Sequence, residues 1–360
     1  MPWDKEKTRR LLDGIERLAP RELRLMEVCG THTMAIAASG LKSMLPSTVR
    51  LLSGPGCPVC VTPPQVIDKV LELSMEKDVI LASYGDMLRV PGSRAGDSLL
   101  RRRALGAHVE TVYSAVDAVE FALQHPDKQV VFLGVGFETT APGTAAAVLT
   151  AKEKGAKNFT LWSMLKTVEP ALRALIKSDG FNVDGFLCPG HVATIIGAKG
   201  FRFLPEEYGL PAVVAGFEPE DILLAVYKLV KQLSEKEPKL ENEYTRAVSF
   251  DGNRLAQRIM EECFEPRFDL WRGLGRIDES GLGLRGELSG FDAQRRFKIT
   301  IPASETPTAC RCGEVITGRL APALCPLFGK RCTPEDPVGP CMVSSEGACA
   351  AAWKYEGLPL

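Results

Sequence analysis

The stretch QVVFLGVGFETTAPGTAAAVLTAKEKG, residues 129–155, decides the fold. Its first eight residues form an apolar, β-branched run of strand length, as a parallel sheet covered on both faces requires. A glycine-bearing loop follows, and TAPGTAAAVLTAKEKG then opens near Pro142 and stops at Gly155, in the manner of a helix. The same strand, loop and helix unit recurs outward in both directions. LRLMEV (23–28), VRLLS (49–53), DVILAS (78–83), HVETVYS (108–114), NFTLWSM (158–164), DGFLC (184–188) and PAVVAG (211–216) read as further strands. Between them, PPQVIDKVLELSMEK puts Val66, Ile67, Val70, Leu71 and Leu73 on one apolar stripe, a crossover helix. So many strands exceed one small sheet. The expectation is two parallel-sheet α/β domains, residues 22–145 and 146–235, meeting near Pro142 to Lys157.

After Phe217 the pattern changes. EPEDILLAVYKLVKQLSEKEPKLENEY reads as a long amphipathic helix and a charged linker, and GNRLAQRIMEECFEP as another helix. From Trp271, WRGLGRIDESGLGLRGELSGFD is rich in glycine and turns. Residues 236–360 are therefore expected to form a third, largely helical and irregular domain. The N-terminal helix carries Leu11, Leu12, Ile15 and Leu18 on one face and has no strand of its own to cover, so residues 1–21 are placed with that domain. No tandem repeat is present.

Charge excludes some functions. The 360 residues carry 44 basic and 45 acidic side chains with no long basic block, which argues against a nucleic-acid surface or an anionic-membrane patch. The start is charged and lacks an apolar h-region, and the longest apolar runs are too short to span a bilayer, so the expected location is the cytoplasm. In that reducing compartment eleven cysteines point to metal binding or thiol chemistry rather than to a disulfide framework.

Six of the eleven lie in the tail: Cys310, Cys312, Cys325, Cys332, Cys341 and Cys349. The tail has few large apolar side chains, so coordinate or covalent bonds must replace a core. Read as C-x14-C-x6-C-x16-C, Cys310, Cys325, Cys332 and Cys349 supply the four thiolates of a 4Fe-4S cluster, leaving Cys312 and Cys341 as a second pair. Zinc and plain disulfides remain alternatives, although zinc sites usually draw on short C-x2-4-C knuckles and the tail has none.

Reactive residues also follow the strands, where open parallel sheets bind ligands. LRLMEV runs into CGTHT (29–33), VRLLS into GPGCPVC (54–60), QVVFLGV into GFETTAPGT (136–144) and DGFL into CPGH (188–191). If these edges face one cleft, Cys29, Cys57, Cys60, Glu138 and His191 converge. Cys57-Pro-Val-Cys60 is a C-x-x-C able to close and reopen a small disulfide, with half a zinc knuckle as the other reading. Cys29 stands at a helix mouth beside Thr31, His32 and Thr33, where backbone N–H groups favour a thiolate, a good iron ligand and nucleophile; a buried small hydrophobe is the bland reading. Glu138 and His191 also read as helix-start residues, and Cys188 as buried. Gly134-Val-Gly136 lacks the third glycine of a dinucleotide fingerprint, and no Walker A motif occurs.

Taken together, CGTHT, GPGCPVC, GFETTAPGT, PGHVATIIG and GPCMVSSEGACAA, in this order and with the tail's cysteine spacing, resemble the HypD family of nickel-iron hydrogenase maturation proteins. The resemblance runs nearly end to end. It implies two α/β domains plus a cluster-bearing domain, acting with a HypC-type chaperone to hold an iron ion while it acquires cyanide and carbon monoxide. It also implies a HypE-type partner that delivers cyanide as a thiocyanate, whose release consumes two electrons. Cys29 would hold the iron with His32 beside it, and Cys57 and Cys60 would be the redox dithiol. Cys310, Cys325, Cys332 and Cys349 would ligate the cluster, and Cys312 with Cys341 would match the family's extra pair, a disulfide candidate. Such a chain is a redox-active assembly scaffold rather than a turnover enzyme. The competing classes are a free-standing thiol–disulfide oxidoreductase and a structural iron–sulfur docking protein.

Overall fold

A computed structural model describes residues 4–19, 21–304 and 306–357. All eight expected strands are present: β1 (Leu23–Glu27), β2 (Val49–Ser53), β3 (Val79–Ser83), β4 (Val109–Thr111), β5 (Gln129–Gly136), β6 (Phe159–Leu165), β7 (Gly185–Pro189) and β8 (Ala212–Ala215). Every residue of β3, β6, β7 and β8 is buried, as is β5 after Gln129. That is the signature of parallel strands sandwiched between helices.

Two parallel sheets result. The first has the order β2-β1-β7-β8-β9 and the second β4-β3-β5-β6, where β9 is Leu240–Asn242. Strands are not distributed as a cut between 145 and 146 would have them. The chain leaves the first sheet after β2, builds the whole second sheet, and returns for β7 to β9. The anticipated boundary at 142–157 falls mostly on the Ala141–Lys154 helix, whose Ala145, Ala147, Val148 and Ala151 pack into the core of the second sheet.

The N-terminal helix, Lys5–Leu18, packs elsewhere than expected. Ile15 is fully buried with Leu23, Leu25, Val226, Leu229 and Val230, and Gly14 lies against Tyr227, so the helix covers Pro219–Glu235 on the first sheet. The long helix exposes a second apolar stripe there, and the face of Leu11, Leu12, Ile15 and Leu18 fills it.

The region expected to be largely helical contains a long antiparallel hairpin, β10 (Phe264–Trp271) and β11 (Gly275–Leu284). Its glycines masked the alternation. Gly281 sits where a Cβ would come within 2.8 Å of the Asp269 Cβ, and Gly283 where one would come within 3.1 Å of Arg267, so they permit close strand approach. Beyond the hairpin the tail is irregular, with four-residue helices at Cys312–Val315, Pro340–Val343 and Ala348–Ala351. No helix among the described residues is long and apolar enough to cross a membrane.

Candidate functional site

Parallel pairing of β2, β1, β7 and β8 brings their carboxyl ends to one edge, and with them the Gly54–Cys60 loop, Cys29, His191 and Phe217. Cys29 caps the Gly30–Ser39 helix in an extended conformation. Its N–H donates to Glu27 Oε2 at 3.0 Å, and the Thr33 hydroxyl donates to Glu27 Oε1. Gly56 lies where a Cβ would come within 2.2 Å of the Cys29 nitrogen, and the Gly30 N–H donates to Gly56 O at 3.1 Å. Two loops are thus fused at a position only glycine can occupy.

Burial reverses the expected electrostatics. It pushes the Cys29 thiol up to about 12, with Glu346 and Glu27 adding to the push, against the pull of the His32 and Thr31 backbone N–H groups. Burial likewise pushes Glu27 up to about 8 despite its hydrogen bonds to Thr33, Cys29 and Ser53. At neutral pH Cys29 is therefore a thiol. Cationic charge at the sulfur is what would ionise it.

His32 is fully buried, and its Nε2–H donates to Gly216 O at 2.8 Å, which leaves Nδ1 with a bare lone pair and no partner among the described residues. Burial lowers its pKa to about 4. Phe217 lies between the two histidines, with ring centroids 4.7 Å from His32 and 3.8 Å from His191. His191 therefore joins the cluster through a ring stack. Glu138 stays on the second sheet. Its Oε1 accepts the Val168 N–H at 2.9 Å, so it sits at the start of Val168–Ile176 rather than of the helix that follows it in sequence. Cys188 is fully buried, as expected.

Cys57 and Cys60 form a disulfide, with Cα atoms 5.2 Å apart. The tail closes over it. Ser344 Oγ lies 3.4 Å from Cys57 Sγ and donates to Asp86 Oδ2 at 3.3 Å; the Ser345 N–H and hydroxyl reach the same oxygen at 3.0 and 2.9 Å. Thr31 donates to Glu346 Oε1 at 2.9 Å. On the other side, Cys312 Sγ lies 3.9 Å from Cys60 O, and Arg272 anchors the loop through Thr62 O at 3.0 and 3.2 Å.

Cys310, Cys312, Cys325, Cys332, Cys341 and Cys349 all line one cavity. Their thiols interact in sequence. Hydrogen bonds from Cys310 and Cys341 pull Cys312 well below the ordinary thiol range, while Cys310 and Cys341 are raised by the same contacts. Cys341 also contacts Cys349, and Cys332 is raised by burial and by Cys349 and Cys325. Among the described residues no three His, Cys, Asp or Glu side chains converge as a single-ion site. Glu27, Asp86, Arg272, Ser344 and Glu346 were not anticipated as parts of this site. Ser344 and Glu346 lie within GPCMVSSEGACAA, Glu27 within LRLMEV and Arg272 within WRGLGRIDESGLGLRGELSGFD, while Asp86 lies outside every such stretch.

The class defined by this fold and site is a thiol-rich α/β protein in which a C-x-x-C disulfide, a strand-end cysteine and a six-cysteine cavity share one edge. The chain belongs to the HypD family of hydrogenase maturation factors: residues 6–356 match the family described as "Hydrogenase formation hypA family". It is 43% identical over 354 residues to the hydrogenase maturation factor HypD of Rhodobacter capsulatus, covering 97% of this chain and 93% of the relative. It is 44% identical over 338 residues to HypD of Escherichia coli (94% and 90%), and 45% identical over 339 residues to HypD2 of Bradyrhizobium diazoefficiens (92% and 89%).

Proposed function

We propose that the protein is a redox scaffold on which, together with a HypC-type chaperone and a HypE-type cyanide donor, iron acquires cyanide and carbon monoxide for nickel-iron hydrogenase. The observation that carries this reading is the segment Cys341–Cys349. It bears a cavity cysteine at each end, and in its middle it touches the disulfide through Ser344 and the Cys29 turn through Glu346. One short loop links the three thiol centres.

Iron is the cargo. Cys29 is its ligand, and the orphaned Nδ1 of His32 offers a second donor on the same first helical turn. The raised Cys29 thiol then has a purpose: it stays protonated until metal arrives, and metal binding releases the proton. Cys57 and Cys60 supply the two electrons of cyanide release. A thiocyanate on the donor's cysteine and the dithiol give cyanide, a free donor thiol and the Cys57–Cys60 disulfide, with one proton released.

Cys310, Cys325, Cys332 and Cys349 hold a 4Fe-4S cluster, which when bound supplies one-electron transfer. The fit rests on a cavity walled by thiols from four separate tail segments. Cys312 stands between that cavity and Cys60, and Arg272 pulls its thiol further down. The disulfide is buried, Cys57 being 4% and Cys60 0% exposed. What favours a scaffold over a free-standing exchange enzyme is Cys29, tied to the same tail loop through Thr31 and Glu346: an iron-holding scaffold needs that thiol, and an exchange enzyme needs only the C-x-x-C.

The test is anaerobic co-purification with a HypC-type chaperone, followed by infrared spectroscopy. Cyanide and carbon monoxide bands are expected from wild type and not from Cys29→Ala, whose visible cluster absorption persists. Bands that survive Cys29→Ala would overturn the assignment of the iron ligand.

A further inference from the structure

Each cyanide released leaves Cys57–Cys60 oxidised, and restoring the dithiol takes two electrons and two protons from outside. The face above the cysteine cavity has the composition to receive their carrier. Two segments far apart in sequence build it. Residues 89–103 hold five Arg and one Asp, and residues 319–331 hold two Arg and one Lys with no acid, in a chain whose net charge is −1. Arg89 ties the first to the tail just beyond the second by donating to Pro334 O. A groove of about 310 Å³ runs between them, walled by Gly92, Ser93 and Ala95 on one side and Leu327, Arg331 and Val338 on the other.

Leu327 also lines the cysteine cavity, so the groove and the cavity share a wall. Asp97 is committed to Arg102 through two hydrogen bonds of 2.7 and 2.6 Å, while Arg89, Arg94, Arg101, Arg103, Lys330 and Arg331 are exposed. Leu324 is 72% exposed immediately before Cys325 and gives the face an apolar point of contact. Acidic side chains border it: Asp68 and Glu72 line a pocket with Arg94 and Arg102, and the exposed Glu335 and Asp336 follow Pro334 in sequence.

We propose that this basic face docks an acidic one-electron carrier protein of the flavin or iron–sulfur class, which in two visits restores the Cys57–Cys60 dithiol. The proposal rests on the reading of the cavity as a redox centre. Cations around an apolar contact steer an oppositely charged partner and make its binding salt-sensitive. Transient electron-transfer encounters make do with small interfaces.

The probe is flavodoxin, titrated against the full-length, anaerobically reconstituted protein. Its affinity should fall at least tenfold between 50 and 300 mM salt, and at least tenfold in Arg94→Glu/Arg331→Glu. Lys231→Glu on the far Pro219–Glu235 helix should leave it unchanged. Reduced flavodoxin should open the disulfide, scored by alkylation of Cys57 and Cys60. No binding by wild type, equal loss with Lys231→Glu, or equally tight binding of heparin would overturn the docking face. Iron and sulfide analysis of the same samples reports on the cluster separately. Salt-sensitive docking without a cluster would sink the redox centre, and a cluster without docking would sink this proposal alone.

Discussion

Glu138→Gln tests the buried carboxyl at the edge of the second sheet. Glu138 is 4% exposed, Oε1 accepts the Val168 N–H at 2.9 Å, and Oε2 is buried without a partner among the described residues. Burial pushes its pKa up to about 7, the Val168 and Glu138 backbone N–H groups only partly opposing it. An unfolded chain releases this proton near pH 4.3. Between those values the folded protein holds a proton that the unfolded chain has lost, so stability from this group is fully present below about pH 4.3 and drains away as pH rises to about 7. At ~1.4 kcal/mol per unit, the drain totals about 4 kcal/mol by pH 8.

Glutamine cannot ionise and keeps the acceptor for Val168, but it places an unpaired N–H₂ where Oε2 was, at a cost of about 1–3 kcal/mol. The variant should therefore be less stable than wild type at pH 5 and equal or more stable at pH 8. The amide cost is the same at both pH values, so the change in the stability difference isolates the carboxyl. Urea unfolding followed by circular dichroism at half-unit steps from pH 5 to pH 8 measures it. A difference that stays flat across that range would refute the buried, protonated carboxyl.

Cys325→Ala should abolish visible absorption and acid-labile sulfide while leaving Cys57 and Cys60 able to close; zinc without sulfide in wild type would overturn the cluster. Cys60→Ala should block ligand assembly on iron without lowering the thermal midpoint by more than a few degrees, and normal hydrogenase maturation by that variant would leave the loop as structure. Gly56→Ala sets a methyl against the Cys29 backbone at 2.2 Å, so it should cost on the order of 3 kcal/mol and misplace Cys29. Retained stability together with intact iron ligation would show that the two loops are not fused as described.

Strands were legible because their side chains carry the signal: after Gln129, β5 is an unbroken apolar run of the kind that suits a sheet covered on both faces, and β6 interrupts its apolar run only at Thr160 and Ser163. The hairpin was not, because Gly275, Gly281 and Gly283 removed the alternation that marks a strand, and β9 was hidden by its length and by the charges beside it. Strand order was beyond reach for a different reason. Nothing local tells β1 that its second neighbour is β7, some 160 residues on; that pairing is a property of the assembled sheet.

The site divides along the same line. Cys29, Cys57, Cys60 and the tail cysteines announce themselves by residue type and spacing. Their connectors do not, because Asp86, Arg272 and Ser344 are ordinary residues until the fold places them within hydrogen-bond reach of the thiol-bearing loops. Residue type also misled at Cys29. A helix N-terminus lowers a thiol's pKa by fields that act over one turn, whereas desolvation depends on everything packed around it, here including Glu346 from the opposite end of the chain. On the proposed reading, in which Cys29 receives iron, the outcome is the more useful one. A free thiolate would be open to oxidation and adventitious alkylation, while a buried thiol that surrenders its proton only to a cation remains available for iron.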